Sequence, residues 1–347
     1  MAFEMINEEK KQHLSLSTHA NTVIEHDMSS FNIKHKSSFI NQIYKNYHSL
    51  AECSLSSSAV NFREELKNLL KSSGIDCNSE AARSIIQAQE TDYIRKIQAR
   101  YSRIPRNHPF KIKINQENYK HLFFGCSEDR YYKTAGHYIK AVIEEYCQKS
   151  FLEREEIYAK ENFETIEEAI RYKKILKLQS ATGEVLKLKP YRIIPDPLSM
   201  YHYLIGYAVP ESDSPESEPY SYSCRISNLK YIKMLHEKSF ITQNDKKSLE
   251  KELQKKGSQF MIGELCEARI YLTDEGISLY NRIWHLRPQY TNISPDGHTY
   301  TFLCSPNQIH YYFFKFGKEA IVLSPEDLRI HMNTMYKEAV EAYKQIP

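Results

Sequence analysis

The sequence predicts an α+β protein built from several small domains, and three observations carry that expectation. A short strand followed by two amphipathic helices occurs twice in the first half of the chain. A middle segment of short alternating strands follows. The final stretch runs strand, helix, hairpin, helix, strand, helix. At 347 residues the chain exceeds one average core, and the expected divisions are residues 1–53, 54–104, 105–170, 171–240 and 241–347.

The first copy begins at HLSLS, residues 13–17, where alternation turns Leu14 and Leu16 inward and His13, Ser15 and Ser17 outward. Residues 18–31 carry Ala20, Val23, Ile24, Met28 and Phe31 at helical spacing, and SSFINQIYKNYHSLA aligns Phe39, Ile40, Ile43, Tyr44 and Tyr47 on one stripe. In the second copy, FKIKIN turns Ile112 and Ile114 inward and Lys111, Lys113 and Asn115 outward. QENYKHLF then begins a helix, and GHYIKAVIEEYCQK carries a stripe at Tyr138, Ile139, Val142, Ile143 and Tyr146. The strands match at an offset of 98 residues and the helix stripes at 99. A strand this short between helices needs another strand for its backbone donors and acceptors. The expected partner of FKIKIN is HLSLS of the same chain, giving a ribbon-helix-helix pair closed within one molecule. Pairing with a twin in a second molecule is the alternative the sequence leaves open.

Residues 54–104 join the copies as two helices around SGIDCN, whose Gly74 and Asn78 are turn residues. FLEREEIYAKENFETIEEAIRYKK is mostly helical and leads to the β-rich segment. KILKLQS and GEVLKLKPYRII read as a hairpin turning at Ala181 to Glu184. MYHYLIGYAV and YSYSCRISNLKYIKML read as strands separated by the loop PESDSPESEP. Short strands with tight turns imply a small, strongly bent barrel. KSFITQNDKKSLEKELQKKG is a charged helix. EARIYLT, DEGISLYNRIWHL, the hairpin QYTNI-SPDG-HTYTFLC, NQIHYYFFKFG, AIVL and a last helix opening at SPED then follow the ferredoxin-like order. Tyr311, Tyr312, Phe313, Phe314 and Phe316 crowd one helix. Some of them are expected to meet another domain or a second copy, so a homodimer is expected.

Apolar residues at 41% and charged residues at 26% are those of a globular protein. No apolar run approaches the roughly 20 residues that span a bilayer, and MAFEMINEEKK is polar rather than signal-like, so a cytoplasmic protein without membrane contact is expected. Seven cysteines with no CxxC pair argue against a disulfide framework and a thiolate zinc site, and fourteen histidines show no repeated ligand spacing. GxxxxGK[ST], GxSxG, HExxH and GxGxxG are all missing. No catalytic residue, metal or cofactor is assigned, and a binding protein rather than an enzyme is expected.

The net charge is only +3, yet eleven Lys or Arg face three acids between Tyr93 and Lys140, and seven face one between Arg171 and Arg192. Such segregation implies an anionic partner. Twenty-six tyrosines, several beside basic residues, suit stacking on nucleic-acid bases. In a ribbon-helix-helix pair the outward strand face enters the major groove and the second helix's start holds a phosphate. The candidate contacts are therefore His13, Ser15, Ser17, Lys111, Lys113 and Asn115 on the strands, with Lys36, Ser37 and Ser38 at the helix start.

LKLKPYRII, MYHYLIGYAV and SYSCRISNL together resemble the WYL domain, an Sm-like or SH3-like bent barrel named for a Trp-Tyr-Leu run that stands here as His202, Tyr203 and Leu204. The resemblance implies a pocket for nucleic acid or another anionic ligand, formed by Tyr203 and Arg225 with Lys189, Tyr191, Arg192, His202 and Tyr207. Downstream, ARIYLTDEG, IWHLRP and FFKFGKEAIVLSPEDL resemble the C-terminal extension common in such proteins. With AVIEEY and LERE added, most of the chain resembles the accessory proteins found beside type VI-D CRISPR RNA-guided ribonucleases. That resemblance implies binding of single-stranded RNA or DNA and enhancement of the ribonuclease. The alternative is a regulator of transcription that binds duplex DNA and senses a nucleotide-like ligand in the WYL pocket. A third reading is an assembly module whose basic residues make protein contacts.

Overall fold

A computed structural model describes residues 11–345 apart from 126, 180–182, 184, 197–198, 211–218, 259–265 and 285. Among the described residues, twelve α-helices and three antiparallel sheets make a mixed α+β fold. The chain divides into two units, Met1–Lys160 and Glu161–Pro347. The turn expected at Ala181 to Glu184, Gly183 excepted, and the acidic loop at 211–218 lie outside the described residues.

In the first unit, β1 (Lys11–Leu16), α1 (Thr18–Ser30) and α2 (Lys36–Tyr47) form the first copy. A hairpin of α3 (Leu55–Ser72) and α4 (Glu80–Ser102) leads to β2 (His108–Lys113), α5 (Gln116–Lys120), α6 (Ala135–Tyr146) and α7 (Phe151–Tyr158). β1 pairs antiparallel with β2 inside the chain, as the short strand requires, and the register sets His13 opposite Lys111. Lys111 is also the residue 98 positions after His13. A residue opposite its own counterpart lies on the two-fold axis of an antiparallel pair, so this one pair fixes the pseudo-symmetry of the unit.

The two copies clamp each other. Ser17 caps α1, its hydroxyl accepting from the Ala20 amide at 3.1 Å, while its own amide and hydroxyl donate to the Glu144 carboxylate of α6, each at 2.7 Å. Asn115, 98 residues later, caps α5 through the Asn118 amide at 2.8 Å, and its amide donates to Asn41 of α2 at 2.9 Å. Asn41 also donates to the Lys113 carbonyl at 2.8 Å. Each second helix thus holds the start of the other copy's first helix. At Gly136 a Cβ would come 2.8 Å from the His13 carbonyl, so the close approach of α6 to β1 needs glycine there. The copies differ where α5 ends after one turn and passes into a π-helical turn, His121–Gly125.

The core beneath is rich in buried polar anchors. Glu145 accepts from the hydroxyls of Tyr47 (2.8 Å) and Tyr101 (2.6 Å) and from the amides of Glu52 (2.8 Å) and Cys53 (3.0 Å). Glu128 accepts from the Leu55 and Ser56 amides at the start of α3, where the helix dipole favours an anion. Arg154 forks onto Asp27 at 2.7 and 3.0 Å, and Tyr146 donates to the same carboxylate at 2.7 Å. α3 and α4 are joined by the Arg63–Glu90 pair and by Phe62 stacked on Tyr93, ring centroids 4.4 Å apart.

The second unit opens with α8 (Lys160–Arg171), whose first residue closes the first unit. The sheet of β3 (Lys174–Gln179), β4 (Val185–Asp196), β5 (Tyr201–Pro210), β6 (Tyr220–Arg225) and β7 (Tyr231–Lys238) follows in the order β6-β5-β4-β3-β7. One face buries Leu176, Leu178, Leu186, Leu188, Leu204 and Ala208. Gly206 lies against β4 so closely that a Cβ would overlap the Lys189 carbonyl, and the register shifts between Pro190 and Arg192. α9 (Gln243–Lys256) precedes a second sheet of β8 (Cys266–Leu272), β9 (Tyr290–Ile293), β10 (Thr299–Cys304) and β11 (Ala320–Ser324). Its order is β11-β8-β10-β9, with α10 (Asp274–Arg282), α11 (Pro306–Phe313) and α12 (Glu326–Gln345).

Most of the aromatic run of α11 and the turn after it packs within its own unit. Tyr312, Phe313 and Phe316 are core residues at helical spacing, and Phe314 stacks on Tyr336 of α12 at 4.9 Å. Tyr311 alone of the five is exposed. The six cysteines among the described residues are unbridged. No helix of the described residues is long and apolar enough to cross a membrane.

Two predictions follow from the first unit. Arg154→Ala leaves the fully buried Asp27 without its guanidinium and should cost about 3–5 kcal/mol by urea unfolding. A cost below about 1 kcal/mol would show that the pair does not hold the unit together. His48 stacks on Tyr44 with His121 beside it, and burial, then His121 and Lys160, lower its pKa from 6.5 to about 4. The folded state therefore favours neutral His48. Its contribution is complete above pH 6.5 and is lost as pH falls towards 4. The melting temperature of His48→Gln should fall less than that of the wild type across this window, and parallel curves would remove His48 as a cause.

Candidate nucleic-acid interface

Two surfaces carry the residues singled out from sequence, one in each unit. On the β1–β2 ribbon, directly opposite residues share a face, so the register makes a single outward row of Lys11 with Lys113, His13 with Lys111, and Ser15 with Pro109. Lys11, His13, Lys111 and Lys113 are exposed and Ser15 is half-buried. Lys11 was missed because HLSLS begins two residues later, although the alternation extends back to it. Two expected readers are not on this row. Ser17 and Asn115 both follow the strand alternation in sequence, but at both positions the chain has already turned into a helix and the side chain is its N-cap.

The start of α2 lies beside the ribbon. Lys36 sits 4.6 Å from the Phe110 ring and donates to Asn21, and burial lowers its pKa. Ser37 is half-buried and Ser38 exposed, and His35, the N-cap, makes no side-chain cap bond. The amides of this first turn need acceptors, so an anion fits here.

In the second unit, β5 alternation separates the expected pocket residues. Tyr201, Tyr203, Ile205 and Tyr207 lie on one face and His202 on the other. His202 is buried, its ring edge-on to Phe163 of α8 at 5.1 Å, so it is a packing residue and leaves the candidate site. α9 covers the Ile205 and Tyr207 end of this face. Ile205 and Leu249 are each 1% exposed and pack with Tyr191, Ile194, Tyr203, Tyr207 and Leu253. Glu250 accepts from the Tyr191 hydroxyl at 2.8 Å and from the Arg192 guanidinium at 2.9 Å, and Tyr207 donates to the Asp245 carbonyl at 3.3 Å. The Glu250 hydrogen bond, then burial, raises the Tyr191 pKa. Lys189 pairs across the ladder with Tyr207.

Arg225 stands opposite Tyr203 in the ladder. Its guanidinium lies 3.6 Å from the centre of the Tyr201 ring and donates to Asn228 at 2.8 Å. Tyr201 was not selected from sequence, although its place two residues before Tyr203 puts it on the same face. Tyr201, Tyr203 and Arg225 are all half-buried. A planar cation stacked on one tyrosine beside another offers π-faces and a charge to an unpaired base and its phosphate. Among the described residues no group of His, Cys, Asp and Glu is placed to hold a metal ion.

These features define a mixed α+β chain with a basic two-stranded ribbon in one unit and an arginine–tyrosine face in the other. A solved structure described as a CRISPR Cas-related protein is similar over 99% of this chain and 97% of its own, at 26% identity and a TM-score of 0.68. The proteasome accessory factor B/C (PafBC) of Arthrobacter aurescens aligns with 84% of this chain and 49% of its own length, at 12% identity and a TM-score of 0.29, too slight a likeness to support an argument. No protein-family model and no curated protein matches the chain.

Proposed function

We propose that the protein is a non-enzymatic, nucleic-acid-binding accessory protein that takes single-stranded RNA on the Tyr201–Tyr203–Arg225 face and enhances a type VI-D CRISPR ribonuclease. The observation that carries this reading is the 3.6 Å stack of Arg225 on Tyr201 beside Tyr203. Aromatic faces with a basic group bind unpaired bases with little regard to sequence, each stacked base contributing about 1–3 kcal/mol. The full-length likeness to a CRISPR Cas-related protein supports the setting. In this reading the β1–β2 copies are a ribbon-helix-helix pseudo-dimer, the five-stranded sheet is a WYL-type Sm-like barrel, and the four-stranded sheet is a ferredoxin-like fold. A second copy of the chain is its partner, met outside the α11 core.

The lysine row of the ribbon favours a second reading, in which the protein binds duplex DNA as a transcription regulator. A two-stranded ribbon fits the major groove, and lysines can contact base edges or phosphates there. The two readings separate by substitution. Fluorescence anisotropy at two salt concentrations, with one sequence as single-stranded RNA, single-stranded DNA and duplex DNA, should give tightest and salt-dependent binding to single-stranded RNA. Tyr203→Ala with Arg225→Ala should weaken that binding at least tenfold with the melting temperature preserved. Lys111→Glu with Lys113→Glu should act mainly on duplex DNA. Unchanged RNA affinity in a folded Tyr203/Arg225 variant would sink the first reading.

A further inference from the structure

The first unit contains a cavity of about 490 Å³ between α4, residues 131–133 and the N-terminal half of α6, a volume within the range of small-ligand sites. None of its lining residues belongs to the ribbon row or to the reading above. Its walls include three tyrosines, Tyr101, Tyr131 and Tyr132, and its basic groups are Arg106, Lys133, His137 and Lys140. Tyr101 and Tyr132 are fixed by hydrogen bonds from their hydroxyls, to Glu145 at 2.6 Å and to the Cys53 carbonyl at 2.7 Å, so their rings are held in place. The Gln98 amide donates to the Tyr131 backbone carbonyl at 3.0 Å and ties the backbone of residue 131 to α4.

The ionisable groups lining this cavity, its tyrosines aside, are basic, and those at its rim are unpaired among the described residues. Lys140 is buried, and its ammonium donates to the carbonyls of Ile104 (3.3 Å) and Pro105 (3.0 Å). Arg106 and Lys133 are exposed at the rim, and among the described residues neither has an ion-pair partner. Burial, then the nearby charges of Arg106, Lys133 and Lys140, lower the His137 pKa. Of the nearby acids on α6, Glu144 is held by Ser17 and attracts Lys140, and Glu145 is engaged by Tyr47, Tyr101 and the amides of residues 52 and 53, which leaves Arg106 and Lys133 unpaired among the described residues. An anion entering here would meet Arg106, Lys133 and His137 together, and a planar group attached to it would meet fixed tyrosine rings. We infer that this cavity is a nucleoside-phosphate site, with the phosphate on Arg106, Lys133 and His137 and the base against the tyrosine walls.

That chemistry has two sources, a free nucleotide and the 5′-phosphorylated end of an RNA strand. Isothermal titration of the full chain with AMP, adenosine and inorganic phosphate should show AMP bound at least tenfold more tightly than either fragment. Arg106→Ala with Lys133→Ala should weaken AMP at least tenfold without moving the melting temperature, since both side chains are exposed. Tyr131→Leu should bring AMP affinity down towards that of phosphate. The strand end is tested in the Tyr203→Ala/Arg225→Ala chain, from which the barrel stack has been removed, with a short oligoribonucleotide carrying a 5′-phosphate or a 5′-hydroxyl. A tenfold preference for the phosphate that is lost with Arg106 and Lys133 assigns the strand end. AMP binding without that preference assigns the free nucleotide. Failure of both, or AMP binding unaltered in the folded Arg106/Lys133 variant, overturns the site whatever the fate of the barrel reading.

Discussion

The reciprocal hold of each copy's second helix on the start of the other copy's first helix is the constraint on which the first unit depends. β1 and β2 are six residues each and cannot satisfy their backbone groups alone. Pairing them within one chain requires α3 and α4 to bridge the end of one copy and the start of the next. That bridge is not left loose. Glu128 and Glu145, both from the second copy, bind amides at residues 52–56, where the bridge begins, and Glu145 also takes the Tyr101 hydroxyl near its end. Buried carboxylates are costly unless every oxygen has donors, and these have them. The polar anchors therefore specify which helix meets which, a task that the similar apolar stripes of α2 and α6 could not perform alone.

Much of this was legible in the sequence. The inward leucines and isoleucines, the offsets of 98 and 99, and the strand and helix order of the last segment are properties of local periodicity, which survives folding when the face it defines is buried. What was not legible came from elsewhere in the chain. Ser17 and Asn115 continue a two-residue alternation, and only the helix that follows converts them from outward readers to caps. His202 and Tyr203 are neighbours in the Trp-Tyr-Leu position, and a pocket carried over from that resemblance merged two faces that a strand separates. The aromatics of α11 were counted as too many for one core, yet α12 takes Phe314 on a stripe of Leu328, Met332 and Tyr336, and Tyr311 stays exposed.

The largest surprise in the candidate site is α9. Its sequence, QNDKKSLEKELQKK, reads as a solvated helix, yet Leu249 and Leu253 are enough to seat it across the β5 face. Once seated, Glu250 supplies the carboxylate for Arg192 and Tyr191, so part of the basic excess between Arg171 and Arg192 is neutralised inside the molecule. Lys187 is paired in the same way with Glu237, so the exposed charge of this stretch is narrower than composition implies.

The pairing of His13 with Lys111 has a further consequence. Where two identical chains build such a ribbon, symmetry forces both ends to be alike. Here the copies occupy one polypeptide and have diverged, so one end of the row presents Lys11 and Lys113 while the other presents Ser15 and Pro109. The ribbon is a polar arrow with a charged head and a neutral tail. A nucleic acid lying along it would be told one direction from the other, which no strictly palindromic ribbon can do.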